Sequence, residues 1–357
     1  MNILHICAGW QKWNGAANIA RMIMDEQRRE GHEVSFATWA KVRELRAADE
    51  VWIHCGWLPC LWWAALVCFL TQRRRGAERI LKWMPEACYD PVRLRYHGWK
   101  KWLVGPIERF FLRRCAKIVA TCEAEKGWIE AYLGKRCPAV EVTDVKRFFR
   151  LTDCKIDRLT DCEVDGFIDY RIDRSGDYGA DDFKQSVNPT IRQSVNSSLN
   201  LLYLGRRHPL KGVEYLEAAV AELNSNPVNP VQNSSTCSTC PTYPKNSAPS
   251  TSQHLCVRFV SNAFGEEKER VWDWCDVLVL PTLSDNFGLV IAEALERGKR
   301  VITTDGAPAW GEGNDYGGRL VFLKGFRDGT DEVRVGLLKD AIAKLVGMDE
   351  QERMHDL

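Results

Sequence analysis

VLVLPTLSDNFGLVIAEALERGKRVITTDGAP, residues Val277 to Pro308, is the stretch whose reading decides the fold of this chain. Val277 to Leu280 is a short apolar run closed by Pro281, the pattern of a strand buried in a parallel sheet. After a polar loop, the spacing predicts a helix over Phe287 to Arg297 and a further strand over Arg300 to Thr304. Such a strand, loop, helix, strand unit belongs to an α/β protein with a parallel sheet. Ser284, Asp285 and Asn286 stand just ahead of a helix whose first N–H groups have no partner in the helix, so the turn suits an anionic ligand. Gly288 allows that ligand close to the backbone. Asp285 and Glu293 are separated by the seven residues NFGLVIA. An acid at a helix start also caps the backbone and suits the dipole, so this block alone has a purely structural reading.

A second block breaks that tie. Leu199 to Leu204 reads as a strand, and Gly205-Arg206 and Lys211-Gly212 fall in the turn before the helical pattern VEYLEAAVAEL. An arginine and a lysine at such a turn bring fixed positive charge to a diphosphate, the arginine with two parallel donors. A solvated basic turn would have the same composition. Taken together, the two blocks resemble the retaining glycosyltransferases of family 4. Gly205 to Gly212 matches the pattern G-R-x4-K-G position for position, and the stretch from Asp285 resembles E-x-F-G-L-x-x-x-E-A followed by G-x-P-V-I-x-T. This chain has Asp285 where Glu is usual and Arg300 where Pro is usual.

The resemblance implies an α/β fold of the GT-B type, two doubly wound Rossmann-like domains facing each other across a cleft. It implies a nucleoside diphosphate sugar as donor and a saccharide or glycolipid hydroxyl as acceptor, with lipopolysaccharide-type members pointing to cell-envelope synthesis. By the same resemblance Arg206 and Lys211 face the diphosphate, Asp285 the donor sugar and Glu293 the ribose. Gly205, Asn286, Phe287, Gly288 and Leu289 would line the donor, and no metal or cofactor is expected. A GT-B epimerase or phosphorylase, and a non-catalytic protein that binds sugar nucleotides or lipid head groups, remain open as alternatives.

The rest of the chain frames this reading. With 357 residues and 45% hydrophobic content it has the length for two domains. We place an acceptor-side domain over residues 1–150, a low-complexity insertion over 151–198, and a nucleotide-sugar domain over 199–357 that carries a second insertion at 224–254. LTDC recurs at Leu151 and Leu159, and QSVN at Gln185 and Gln193; a period of eight is too short for a solenoid repeat. Fourteen scattered cysteines and the absence of a signal-like start predict a cytoplasmic protein. Cys237 and Cys240 form a C-x2-C with no second pair at zinc-site spacing.

Charge divides the chain unevenly. Met1 to Arg150 holds 26 Lys and Arg against 16 Asp and Glu, a balance of +10, while the remainder is −9. No nucleic-acid motif accompanies the basic half, so an anionic lipid surface or a phosphorylated acceptor is the expected partner, with the protein peripheral on the inner face of the cytoplasmic membrane.

In the first half the strand pattern Ile3 to Ala8 leads through a loop into a helix over Ala16 to Arg29 and a strand over Glu33 to Thr38. Asn14-Gly15-Ala16 resembles the family's small-residue loop near the reacting groups, and a plain tight turn would look alike. His54 ends a strand, where it serves either substrate or core. Cys55 to Leu70 is uncharged over sixteen residues, below the roughly 20 of a membrane span, and is expected to be a buried helix, with a monotopic membrane contact as the alternative. Glu86 to Arg114 resembles the acceptor-side region of the family without its usual histidine or glycine near Glu86. Glu123 and Glu125 open a helix, as caps or, for Glu125, near the acceptor.

Overall fold

Apolar runs that end in polar turns become the strands of two six-stranded sheets, all parallel, in a computed structural model that describes residues 1–8, 15–72, 80–96, 98–151, 198–225, 232–233, 254–261, 263–311 and 316–347. The first half runs β1 (Asn2–Cys7), α1 (Gly15–Arg29), β2 (Glu33–Ala37), α2 (Val42–Ala47), β3 (Glu50–His54), α3 (Pro59–Gln72) and β4 (Ile80–Met84). It continues through α4 (Pro91–Arg95), α5 (Gly98–Leu112), β5 (Lys117–Ala120), α6 (Glu123–Leu133) and β6 (Val140–Val142), giving the strand order β2-β1-β3-β4-β5-β6. The second half runs β7 (Ser198–Leu204), α7 (Val213–Ser225), β8 (Gln232–Asn233), β9 (His254–Val260), α8 (Glu266–Trp274) and β10 (Val277–Leu280). Then follow α9 (Leu289–Glu296), β11 (Arg300–Thr304), β12 (Leu320–Leu323) and α10 (Asp331–Gly347), in the order β12-β11-β10-β7-β9-β8.

In each sheet the order reverses beside the first strand of the half, β1 or β7. Connections leave that strand in both directions, so helices cover both faces. The central strands β3, β10 and β11 are buried along their whole length, as expected where both faces are covered.

Four strands were not marked by the sequence. β4, ILKWM, carries a lysine in a central position, and the structure shows why it is tolerated: Lys82 Nζ lies 2.9 Å from Glu50 Oε1 on the neighbouring strand and 4.7 Å from the Trp52 ring centroid. β6 and β12 are short edge strands of three and four residues. β8 lies inside the second expected insertion and pairs in parallel with β9, so that segment is not wholly outside the sheet. The LTDC repeats beyond Leu151, the QSVN repeats, Cys237 and Cys240, and the loop before Gly15 lie outside the described residues.

The expectation of a buried helix at Cys55 to Leu70 is corrected. The helix forms over Pro59–Gln72, but only its inner side is covered: Leu61, Ala64, Ala65, Val67 and Cys68 are buried, whereas Trp63, Leu66 and Leu70 are exposed. An all-apolar helix in a single covering layer has to leave one side uncovered.

Candidate functional site

The two signature turns meet because one backbone carbonyl gathers them. Leu210 O, in the turn after β7, accepts from Thr282 Oγ1 at 2.9 Å, Leu283 N at 2.9 Å and Ser284 N at 3.3 Å, all in the turn after β10. β7 and β10 are adjacent parallel strands, so their following loops leave the same edge of the sheet. Gly212 permits the close fit. It has φ +58, and a Cβ there would stand 2.1 Å from Pro281 O.

This apposition sets the Lys211 ammonium on Asp285 Oδ2 as an ion pair, with side-chain exposures of 17% and 16%. Burial lowers the affinity of Lys211 for its proton, opposed by the attraction of Asp285. For Asp285 burial pushes upward, but the Lys211 ammonium, with Arg93, outweighs it and holds the carboxyl below its ordinary value. Asn286 N donates to Asp285 Oδ1 at 2.8 Å, which fixes the carboxylate further.

Gly288 caps α9 in the left-handed conformation at φ +70, so the helix begins at Leu289, two residues later than the predicted start at Phe287. Among the described residues the amides of Phe287, Gly288 and Leu289 have no partner, as the first N–H groups of a helix must not. Trp310 Nε1 donates to Phe287 O, and the buried Phe287 ring stacks on Phe149 with centroids 6.0 Å apart. The loop backbone is thus held while its amides stay free. Gly15, at the start of α1, faces Leu289 Cδ1 at 3.8 Å from where a Cβ would stand, so the start of α1 lies beside the loop that opens α9.

The remaining candidates separate from this centre. Arg206 is exposed and makes no ion pair among the described residues, and its carbonyl accepts from Tyr203 Oη at 2.8 Å. Gly205 N donates to Val260 O at 3.0 Å. Glu293 does not share a partner with Asp285. Its Oε1 takes a hydrogen bond from Lys268 Nζ at 2.8 Å, and Oε2 lies 2.6 Å from the same ammonium without a well-directed N–H.

Asp90, Arg93 and Thr121, which the sequence reading missed, complete the cleft from the first half together with Glu125. Asp90 caps α4, with Pro91 at the first helical position, a helix start that the D-P dipeptide signals. Its carboxylate is fully buried and accepts from Ser284 Oγ and Arg327 across the cleft. Arg93 Nε donates to Ser284 Oγ at 2.9 Å, which brings a second cation beside Asp285. Asn286 Oδ1 stands 3.0 Å from Thr121 Oγ1. Glu125 is buried, and burial raises its pKa; its oxygens accept from the amides of Ala87 and Thr121 and from Thr121 Oγ1, so it ties the ends of β4 and β5 together.

The floor of the first half carries a buried polar line. Gln27 Oε1 lies 2.8 Å from His5 Nε2, His5 Nδ1 lies 2.9 Å from His54 Nε2, and His54 Nδ1 lies 3.1 Å from Glu86 Oε1. Burial lowers both imidazoles, His54 to about 3, and raises Glu86 to about 8. With the Gln27 oxygen as acceptor, each neutral imidazole donates through Nε2 and Glu86 must donate its proton to His54 Nδ1. Of the two roles open to His54, the structure gives the core one. Cys55, Trp57, Glu86 and Ala87, at the ends of β3 and β4, all have positive φ. Such strain gathers at working sites.

Residues 198–324 match the family model described as Glycosyl transferases group 1. No curated protein matches the chain in sequence. Among solved structures, sucrose-phosphate synthase from Thermosynechococcus elongatus superposes with a TM-score of 0.57 at 13% identity, over 100% of this chain and 92% of that one. Anabaena HepE, solved in complex with UDP and glucose, gives 0.56 at 13% identity over 100% and 92%. Trehalose-6-phosphate synthase, studied for glycosyltransfer with retention, gives 0.53 at 10% over 99% and 93%. The architecture is that of the GT-B glycosyltransferases, and the group 1 pattern spans β7 to β12, where Lys211 and Asp285 meet.

Proposed function

We propose that this chain is a glycosyltransferase that moves a sugar from a nucleoside diphosphate sugar to an acceptor hydroxyl with retention, the acceptor being a saccharide or glycolipid of the cell envelope. The observation that carries this reading is the Lys211–Asp285 pair beside the three free amides of Phe287 to Leu289, at the strand ends facing the other half. As the bond from the anomeric carbon to the diphosphate breaks, negative charge grows on the leaving group. Lys211, the exposed Arg206 and the helix amides stand ready to receive it, and such preorganised charge often does more than any other effect to lower an enzyme's barrier. Asp285, held in place by Lys211, is positioned to accept from a sugar hydroxyl. Glu293 would exchange Lys268 for the ribose hydroxyls. HepE, with UDP and glucose bound, and the retaining trehalose-6-phosphate synthase support the donor class and the stereochemistry by fold likeness. The site would work in the cytoplasm, at the inner face of the membrane where such acceptors lie.

Two substitutions test the roles. Glu293→Gln should weaken both the free nucleoside diphosphate and the sugar donor, because both contain ribose. Asp285→Asn should spare the nucleoside diphosphate and lower transfer. A charge-assisted hydrogen bond is worth about 1.5–3 kcal/mol, roughly ten- to a hundredfold. Isothermal titration beside a transfer assay separates them, and a folded Glu293→Gln protein with unaltered affinity and turnover would sink the assignment. Since Lys211 and Arg206 carry the charge in this reading, transfer should persist in EDTA; loss restored by magnesium or manganese would reassign that role to a metal.

A further inference from the structure

Two neighbouring helices of the first half wear their apolar residues on the outside. On α3 the residues turned to solvent are Pro59, Trp63, Leu66 and Leu70, at intervals of four, three and four, with Leu70 65% exposed. That is one helical stripe, and none of it is polar. On α5 the solvent side presents Trp99 at 69%, Trp102 at 81%, Leu103 at 64%, and Pro106, Ile107 and Phe110. A surface helix normally shows the reverse pattern.

The two stripes lie in one layer. α3 joins β3 to β4, and the segment with α5 joins β4 to β5, steps in the same direction across the sheet. Right-handed crossovers therefore put both helices on the same face. Phe69 of α3 stacks on Phe111 of α5 at 6.2 Å, and Trp62 Nε1 donates to Glu108, which locks the pair side by side beneath the outward residues. Contiguous exposed apolar residues of this kind, rimmed by polar ones, mark an interaction face.

Charge identifies the partner. From Ala87 to Cys122 the chain holds eight Lys and Arg and two acids, Asp90 and Glu108, and both acids are fully buried. Lys117 pairs with Glu141 beyond this segment and Arg93 turns to Ser284, while Arg95, Lys100 and Arg114 stand exposed. Lys100 Nζ lies 5.5 Å from the Trp99 ring centroid, and the Arg114 guanidinium carbon lies 3.6 Å from that of Phe110, so cations rim the aromatic residues. Indoles and basic side chains together suit the boundary between lipid head groups and acyl chains. Among the described residues no helix is long and apolar enough to cross a membrane, so the face would lie on the bilayer and not span it.

We propose that the outward face of α3 and α5 docks on an anionic lipid bilayer, with Trp63, Leu70, Trp99, Trp102 and Leu103 entering the interface and Lys100 and Arg114 meeting the head groups. This goes beyond the transferase reading and adds to it: a bilayer-bound first half would stay beside a lipid-linked acceptor.

The test reads binding alone, so its failure would leave the transferase reading untouched. The full chain is sedimented with vesicles of phosphatidylglycerol and phosphatidylcholine, and with phosphatidylcholine alone, at low and high salt. It should partition onto the anionic vesicles and weaken as salt rises. Lys100→Gln with Arg114→Gln should weaken partition by about fivefold per charge. The triple variant Trp99→Ser, Trp102→Ser, Leu103→Ser should lose at least about tenfold yet melt where the parent does, because the removed atoms stand in solvent. Parent protein that stays in the supernatant with anionic vesicles overturns the proposal, as does a triple variant that partitions like the parent. A dimer that the triple variant dissociates, without vesicle binding, would assign the face to a second copy of this chain instead.

Discussion

Lys211→Met should lower transfer by about 100- to 1,000-fold, the loss of about 2.7–4 kcal/mol that follows removal of one preorganised charge from the site where charge develops. The ammonium touches Asp285 and stands beside the loop whose amides are free, so its removal acts twice. Leaving-group charge loses its fixed counter-charge, and Asp285, no longer drawn down by its cation, rises toward the protonated form that burial favours. A part-buried carboxylate stripped of its partner also costs stability. That cost could be mistaken for a catalytic effect, and a second variant separates the two. Lys211→Met with Asp285→Asn removes the stranded charge and should recover most of the lost melting temperature while transfer stays low. Single-turnover assays with enzyme in excess over donor check the first statement and thermal melts the second. A Lys211→Met protein within about threefold of parent activity would remove the lysine from the charge-stabilising role.

Much of the second half was legible because its chemistry is local in sequence. Gly205 to Gly212 and Asp285 to Glu293 each lie at one strand-to-helix turn, where strand alternation, a glycine and a charge can be read within eight or nine residues. Even so, the Lys211–Asp285 contact depended on β7 and β10 being adjacent, which no spacing of residues 74 apart reveals. Asp90, Arg93 and Arg327 were invisible for the same reason: they act across the cleft from elements distant in the chain, Asp90 and Arg93 through Ser284 and Arg327 through Asp90. The outward stripe of α3 shows another limit. CLWWAALVCFL is apolar on every side, so periodicity could not say which side would be covered, and the packing of α2 and α5 against it decided it. In α5 Phe111 and Leu112 pack inward while Trp99, Trp102 and Leu103 are left in solvent.

Glu86→Gln should reduce the loss of stability that the first half suffers between about pH 5 and pH 8. Burial raises Glu86 from an ordinary value of 4.5 to about 8, opposed by its contact with the Cys55 thiol and by Arg93. Between those two values the folded chain keeps a proton that the unfolded chain has released. The stabilisation is complete below pH 4.5 and is lost as pH rises through 8. His54 and His5 run the other way. Burial depresses both from 6.5, His54 to about 3, so their contribution is present above pH 6.5 and is lost as pH falls. The groups facing Glu86 are His54, Cys55, Cys7, Cys88, Arg93 and Glu125. The three thiols are pushed above their ordinary range, which removes them from this window, whereas Glu125 and the more distant Glu108 are raised like Glu86 and add to the alkaline fall. A comparison of parent with Glu86→Gln isolates the one carboxyl. A glutamine amide donates to His54 Nδ1 as the protonated acid does, and it does not titrate. At about 1.36 kcal/mol per unit, the parent should lose about 4 kcal/mol relative to the variant between about pH 5 and pH 8. Melting curves of the two proteins across that range should diverge steadily as pH rises. Parallel curves would mean that Glu86 is ionised throughout, with the hydrogen bonds of His5 and His54 reversed and the Gln27 amide turned to donate.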